Sequence, residues 1–195
     1  MSTEIADDHL ETNLERWNSL GLRAAYGQML LQLSHSEASV VAVSADLGRS
    51  SGLDKFSESF PERYFGVGIA EQNMVGFASG LADQGFDVFC SSFAPFVAFR
   101  AADQVRMNLG YMQSPVNLVG MGSGLSLGFL GSSHYGLEDI ALMRAIDGVA
   151  IYQPGDALDL WLTLKQCLET RVPRYIRLTG GSGLLPIRRK LNTTA

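Results

Sequence analysis

A chain of 195 residues can hold one domain with a sizeable core and is short for two. Its 46% hydrophobic and 18% charged residues, with 21 glycines and 6 prolines, describe an ordinary globular protein tilted toward buried surface and exclude a disordered middle. The net charge of −5, with basic residues scattered apart from Arg188-Arg189-Lys190, excludes a phosphate-backbone footprint and a patch for acidic membranes, so neither nucleic acid nor membrane is an expected partner.

Residues 1–17 are acidic and polar, contain no signal-peptide core and read as a flexible lead-in. Over residues 18–34 apolar side chains recur at helical spacing (Leu22, Ala25, Tyr26, Met29, Leu30, Leu33), and Val40-Val41-Ala42-Val43 follows as a buried strand. A second strand spans 64–67. Residues 70–84 repeat Met74, Phe77, Ala78 and Leu81 on one face, which predicts a helix closed by Gly85. Val88-Phe89-Cys90 is the next strand, 93–109 a helix and 116–119 a strand, before a long Gly/Ser loop from Gly120 to His134. Helix 137–145, strand 149–152, helix 157–168 and strand 175–178 complete the pattern, and 183–195 reads as a tail leaving the domain. Cys90 and Cys167 both lie in apolar runs and are expected as buried thiols in a reducing compartment, not as a disulfide or metal cluster. No apolar stretch is long enough to span a bilayer, and a cytoplasmic protein is expected.

Strand and helix alternate without long gaps, which predicts an α/β fold with three layers, α/β/α, around a mainly parallel sheet over residues 18–182. Ligands of such sheets sit at the carboxyl ends of the strands. The loops of interest hold Ser44-Ala45-Asp46-Leu47, Gly68-Ile69-Ala70-Glu71-Gln72, Ser91-Ser92-Phe93-Ala94-Pro95-Phe96, and the stretch up to His134.

Four features of these loops can carry chemistry, and each has a plainer explanation beside it. Glu71 is a carboxylate in the first turn of a helix with apolar neighbours (Ile69, Ala70, Met74, Val75); taken alone, a helix-start acid favoured by the macrodipole is the better explanation of it. Phe93, Phe96 and Phe99 have the spacing of a core face as well as of an aromatic platform. Asp46 ends a strand, where a turn cap is the alternative. His134 stands in a Gly/Ser-rich loop, as a surface histidine or as a working one. Gly76 and Gly80, four apart on the Glu71 helix, permit close approach either within the domain or across an interface.

The string Tyr64-Phe65-Gly66-Val67-Gly68-Ile69-Ala70-Glu71-Gln72-Asn73-Met74 resembles the strand-turn-helix by which transketolase, deoxyxylulose-phosphate synthase and the beta subunits of 2-oxoacid dehydrogenases present their cofactor-activating glutamate. The resemblance takes in Phe60-Pro61-Glu62-Arg63, Asp103-Gln104-Val105, Ser132-Ser133-His134-Tyr135-Gly136-Leu137-Glu138-Asp139, Met143-Arg144-Ala145 and Tyr152-Gln153-Pro154-Gly155-Asp156-Ala157, over residues 20–180. It implies the pyrimidine-binding module of a thiamine diphosphate enzyme. By that resemblance Glu71 shares a proton with the aminopyrimidine ring nitrogen, partly desolvated by Ile69 and Met74, and its loss stops cofactor activation. The same likeness makes Phe96, then Phe93 and Phe99, the pyrimidine-stacking aromatics. It sets Asp46 near the cofactor and the boundary between subunits, and His134 against the oxygen substituents of the donor, binding substrate and able to transfer a proton.

Departures from that family pattern carry their own expectations. Gly128-Phe129-Leu130-Gly131 stands where transketolases have an acidic stretch, and the histidine-aspartate pair of the same loop is replaced around Met121 to Gly124, which alters the set of sugar hydroxyls the site can satisfy. No Gly-Asp-Gly start followed by Asn is present, so the Mg2+ (or Ca2+) and most diphosphate contacts are expected from a partner chain, with no metal ligands here. No third domain is expected after Leu178. The implied assembly is a hetero-oligomer with two copies of each chain (α2β2), acting on a ketose or 2-oxoacid donor and an aldehyde-type acceptor. The competing readings are a beta-type subunit of a 2-oxoacid dehydrogenase or decarboxylase, and a non-catalytic scaffold subunit. A nucleotide-binding Rossmann module is disfavoured, because no Gly-x-Gly-x-x-Gly follows the first strand.

Overall fold

The apolar runs pair into one sheet. In the computed structural model, which describes residues 5–180 and 184, β1 (Val40–Ser44), β2 (Tyr64–Gly66), β3 (Asp87–Phe93), β4 (Asn117–Ser123), β5 (Ala150–Tyr152) and β6 (Arg174–Thr179) lie in the order β2-β1-β3-β4-β6-β5. Every pairing is parallel. Parallel neighbours need crossovers. The helices are α1 (Ile5–Leu20), α2 (Leu22–Ser34), α3 (Asp54–Ser59), α4 (Glu71–Asp83), α5 (Ala102–Gln104), α6 (Asp139–Arg144) and α7 (Ala157–Glu169).

Side chains alternate across the pleat, so each strand feeds two cores. Val40, Ala42, Phe89, Val119 and Ile176 meet α2 and α7 on one face, while Val41, Val43, Cys90, Leu118 and Tyr175 meet α4 and α6 on the other. Burying a Val, Leu or Phe contributes about 1.5–3 kcal/mol each. A sheet covered on both faces therefore follows from the unbroken apolar runs, and the expected three layers are present.

Four expectations need correction. The stretch read as a lead-in carries α1, which runs across the predicted boundary at 17. Trp17 is 2% exposed and stacks on Trp161 with centroids 5.5 Å apart, and the Asn18 side-chain oxygen accepts from Ala157 N–H at 2.9 Å. The predicted loop at Gly120 begins only at Gly124, because β4 continues to Ser123; Gly120 passes so close to the Tyr175 hydroxyl that only glycine fits. Phe93 belongs to β3, paired with Met121, and not to a helix. The helix predicted over 93–109 is present from Ala94 on, but it is wound wider than an α-helix at Phe96–Arg100 and Val105–Tyr111, on either side of α5.

The tail over 183–195 lies outside the described residues except for Leu184, whose N–H donates to Asn18 O at 2.9 Å. Among the described residues no helix is long and apolar enough to cross a membrane. After β1 the chain turns toward β2, and after β3 it turns the opposite way toward β4. The carboxyl ends of β1 and β3 therefore flank the point where strand order reverses, where crevices form in open parallel sheets.

Candidate functional site

Between β2 and α4 the chain turns at Gly68, whose φ of 74° suits glycine and few other residues. Ala70 N–H donates to Gly68 O at 2.8 Å, and α4 starts on the next residue. This turn sets Glu71 at the helix start, 1% exposed. Its Oε2 accepts from Arg100 Nη1 at 2.8 Å. Among the described residues its Oε1 has only a long contact, 3.4 Å, from Ser92 Oγ. Ile69, expected to shield the carboxyl, is 76% exposed, whereas Met74 is buried as expected. The side chains that meet the Glu71 carboxyl are instead those of Ser92 on β3 and of Arg100.

Past the end of β3, the helix opens with a widened turn. Ala101 N–H reaches back to Phe96 O at 3.2 Å, one residue further than an α-helical bond. Such π-turns recur at functional sites because they re-aim side chains. Here the turn lays the Arg100 guanidinium 4.5 Å over the Phe96 ring, and Phe96 in turn lies 5.9 Å from Phe93. Phe99 is half-exposed and makes no ring contact among the described residues.

The loop after β4 is closed at its base by paired backbone bonds between Gly124 and Gly136, at 2.7 and 2.9 Å. It brings His134 edge-on to Phe93, at 5.7 Å, and to Phe96, at 5.2 Å. The Nδ1 of His134 lies 3.0 Å from Ser133 Oγ. Beneath the loop, Arg177 donates to Gly136 O at 2.9 Å and to Asp139 Oδ2 at 2.8 Å, and the Tyr175 hydroxyl donates to the same carboxylate oxygen at 2.7 Å. Asp139 is fully buried, and burial, then the charge of Asp139, pushes the Tyr175 hydroxyl well above its ordinary range. The lip of the loop is apolar, with Phe129 and Leu130 exposed.

Asp46 follows β1 with φ of 57° and is exposed. The Tyr64 hydroxyl is raised above its ordinary range by burial first and by the charge of Asp46 in smaller part. Glu71, Phe93, Phe96 and His134 are therefore one cluster, while Asp46 and Phe99 stand outside it. Sequence reasoning missed Arg100, Ser92 and the Asp139–Arg177 anchor. The only trace of Arg100 in the sequence is its place four residues after Phe96. Gly76 and Gly80 are exposed, and among the described residues nothing outside their own helix lies within 4 Å of where a Cβ on either would stand, so packing against those residues does not use them. Among the described residues no three His, Cys, Asp or Glu side chains converge as a cation site.

Chemically, a buried carboxyl group with one oxygen lightly engaged, two tilted phenyl rings and an imidazole can hold a flat heteroaromatic ring and exchange a proton with it. The model of the transketolase pyrimidine binding domain matches residues 18–182. The chain is 37% identical over 164 residues to the 6-deoxy-6-sulfo-D-fructose transketolase subunit SqwH of Clostridium sp., covering 84% of this chain and 50% of that protein. It is 34% identical over 161 residues to an apulose-4-phosphate transketolase subunit of Phocaeicola vulgatus, covering 83% and 52%. A solved structure described as a split gene transketolase, inactive beta4 tetramer, superposes with a TM-score of 0.77 at 34% identity, covering 90% of this chain and 57% of that one. The chain spans about half the length of the curated relatives it matches.

Proposed function

Because the chain belongs to the family of transketolase pyrimidine-binding domains, we propose that it is one subunit of a split thiamine diphosphate-dependent transferase. It supplies the pyrimidine pocket and moves a two-carbon ketol unit only when joined to a diphosphate-binding chain. The observation that carries this reading is the geometry of Glu71: 1% exposed, with Oε2 taken by Arg100 and Oε1 available. A ring nitrogen that must share a proton fits that oxygen, and the rings of Phe93 and Phe96 beside it suit a flat heterocycle.

Thiamine diphosphate, when bound, supplies the nucleophilic carbon that cleaves a ketose next to its carbonyl. The chain's own residues do the rest. Glu71 holds the proton at the ring nitrogen. Phe93 and Phe96 orient the ring, with Phe99 and Asp46 toward the rim and the boundary between subunits. His134 hydrogen-bonds the oxygen substituents of the donor. The apolar lip at Phe129 and Leu130 penalises donors that need an acceptor there.

The Mg2+ (or Ca2+) and the diphosphate contacts belong to the partner, since the sequence has no Gly-Asp-Gly start with a following Asn. The exposed apolar residues of the three site segments, Ile69, Phe99 and Phe129, with the open glycine face of α4, are the surface such a partner would cover. Two copies of each chain form the complex, in the cytoplasm, where Cys90 and Cys167 remain thiols. The inactivity described for the beta4 tetramer supports the same silence for this chain alone. Ketol transfer is favoured because the relatives from Clostridium and Phocaeicola are transketolase subunits.

The test is reconstitution. The chain alone with thiamine diphosphate and Mg2+ should show no ketol transfer, and a partner chain bearing Gly-Asp-Gly and Asn should restore it. Glu71→Gln should abolish turnover while the oligomer, followed by light scattering, still forms. Undiminished turnover of Glu71→Gln in the complex would overturn the reading.

A further inference from the structure

The two oxygens of Glu71 are not equivalent. Oε2 takes a charge-assisted bond from Arg100 at 2.8 Å, and Oε1 has only the marginal 3.4 Å contact from Ser92. Arg100 reaches this carboxyl from the open side, for its side chain is 47% exposed where that of Glu71 is 1% exposed. The same guanidinium lies 4.5 Å over the Phe96 ring. One planar group thus touches both parts of the cluster, and it does so because the widened turn from Phe96 to Ala101 brings Phe96 and Arg100 to the same side.

We propose that Arg100 is the positioning residue of this site: it holds Oε2 of Glu71, so that Oε1 is the oxygen presented to the pyrimidine nitrogen, and it sets the tilt of the Phe96 ring. The inference rests on the reading of Glu71 as the partner of that nitrogen. A carboxylate has acceptor sites on both oxygens and rotates when neither is held. Engaging one of them removes that freedom. A flat fork that can bond a carboxylate at its edge and cover a ring with its face is a property of arginine and not of lysine, whose ammonium is a point charge.

A purely structural role, neutralising a buried carboxylate, predicts something different. Lysine would then serve as well as arginine. The experiment uses the reconstituted complex with thiamine diphosphate and Mg2+, comparing Arg100→Lys, Arg100→Gln, Glu71→Gln and the double variant Glu71→Gln/Arg100→Gln. Cofactor dissociation is followed by tryptophan fluorescence quenching, and the tautomer of the bound pyrimidine by near-UV circular dichroism. Arg100→Lys and Arg100→Gln are each expected to weaken cofactor binding by about tenfold or more, the scale of one charge-assisted hydrogen bond, and to lose the imino band. In the Glu71→Gln background, Arg100→Gln should cost clearly less than it does in the parent, keeping only the part that comes from the Phe96 ring.

A complex in which Arg100→Lys binds cofactor and shows the imino band as the parent does would overturn the proposal while leaving Glu71 in its role. So would losses from Glu71 and Arg100 that simply multiply. If Glu71→Gln itself leaves affinity and band unchanged, the underlying reading fails, and the inference with it.

Discussion

His134 meets the ring of Phe96 edge-on, with centroids 5.2 Å apart and planes at 67°. The contact joins the loop after β4 to the turn after β3, so two segments far apart in the chain share one aromatic cluster. An imidazole held this way is aimed by packing.

Replacing His134 by alanine should therefore separate substrate handling from cofactor handling. In the reconstituted complex, kcat/KM is expected to fall by about 10²-fold or more, with thiamine diphosphate affinity within about twofold of the parent. Steady-state kinetics beside a fluorescence titration read the two quantities. A loss confined to cofactor affinity would reassign the imidazole to ring orientation.

The anchor beneath that loop makes a stability prediction. Asp139→Ala leaves the Arg177 guanidinium and the Tyr175 hydroxyl without their shared acceptor in a buried place. Breaking a buried pair from one side costs about 3–5 kcal/mol. Urea unfolding should show this as a lowered midpoint with unchanged slope, and Asp139→Asn should recover part of it.

Trp17 offers a second, independent measurement. It is 2% exposed and stacked on Trp161, so Trp17→Ala should cost about 3–5 kcal/mol. A shift below about 0.5 kcal/mol would mean that α1 contributes nothing to the domain.

The thiols give a pH dependence. Burial pushes the Cys167 thiol up from its ordinary value of 9.0 to about 12. The folded chain keeps this proton where the unfolded chain has released it, so the contribution is fully present below about pH 9 and is lost as pH rises from there toward about 12. Over that window wild-type stability should fall relative to Cys167→Ala by up to about 1.4 kcal/mol per pH unit. Urea midpoints at pH 8 and pH 11 decide it, and equal slopes for the two proteins would refute the assignment.

The glycine face of α4 can be probed separately. Gly80→Ala has open space and should stabilise the chain by about 0.5–1 kcal/mol through helix propensity. Gly80→Leu should leave the isolated chain folded while hindering assembly with the partner, measured by analytical ultracentrifugation. Unimpaired assembly would move the interface elsewhere.

The strands were readable because a sheet buried on both faces writes itself as unbroken apolar runs, as in Val40-Val41-Ala42-Val43. The Glu71 turn and the His134 loop were readable from their surrounding strings. Arg100 was not, since the widened turn that brings it back over Phe96 has no residue signature and an α-helical reading of 93–109 gives no sign of it. The first helix was missed because Glu11, Glu15 and Arg16 dominate the composition of residues that also carry Leu10, Leu14 and Trp17 at helical spacing. Ile69 misled for a related reason: apolar character says nothing about which side of a turn a residue occupies, and this side chain faces outward.

On the proposed reading, proton handling and the choice of donor fall to separate pieces of chain. Glu71 and Arg100 belong to the turns after β2 and β3, whereas Phe129, Leu130 and His134 ride on an excursion pinned at Gly124 and Gly136. If that reading holds, a graft made between those two glycines should exchange the appetite of the assembled complex for different donors and leave its engine in place.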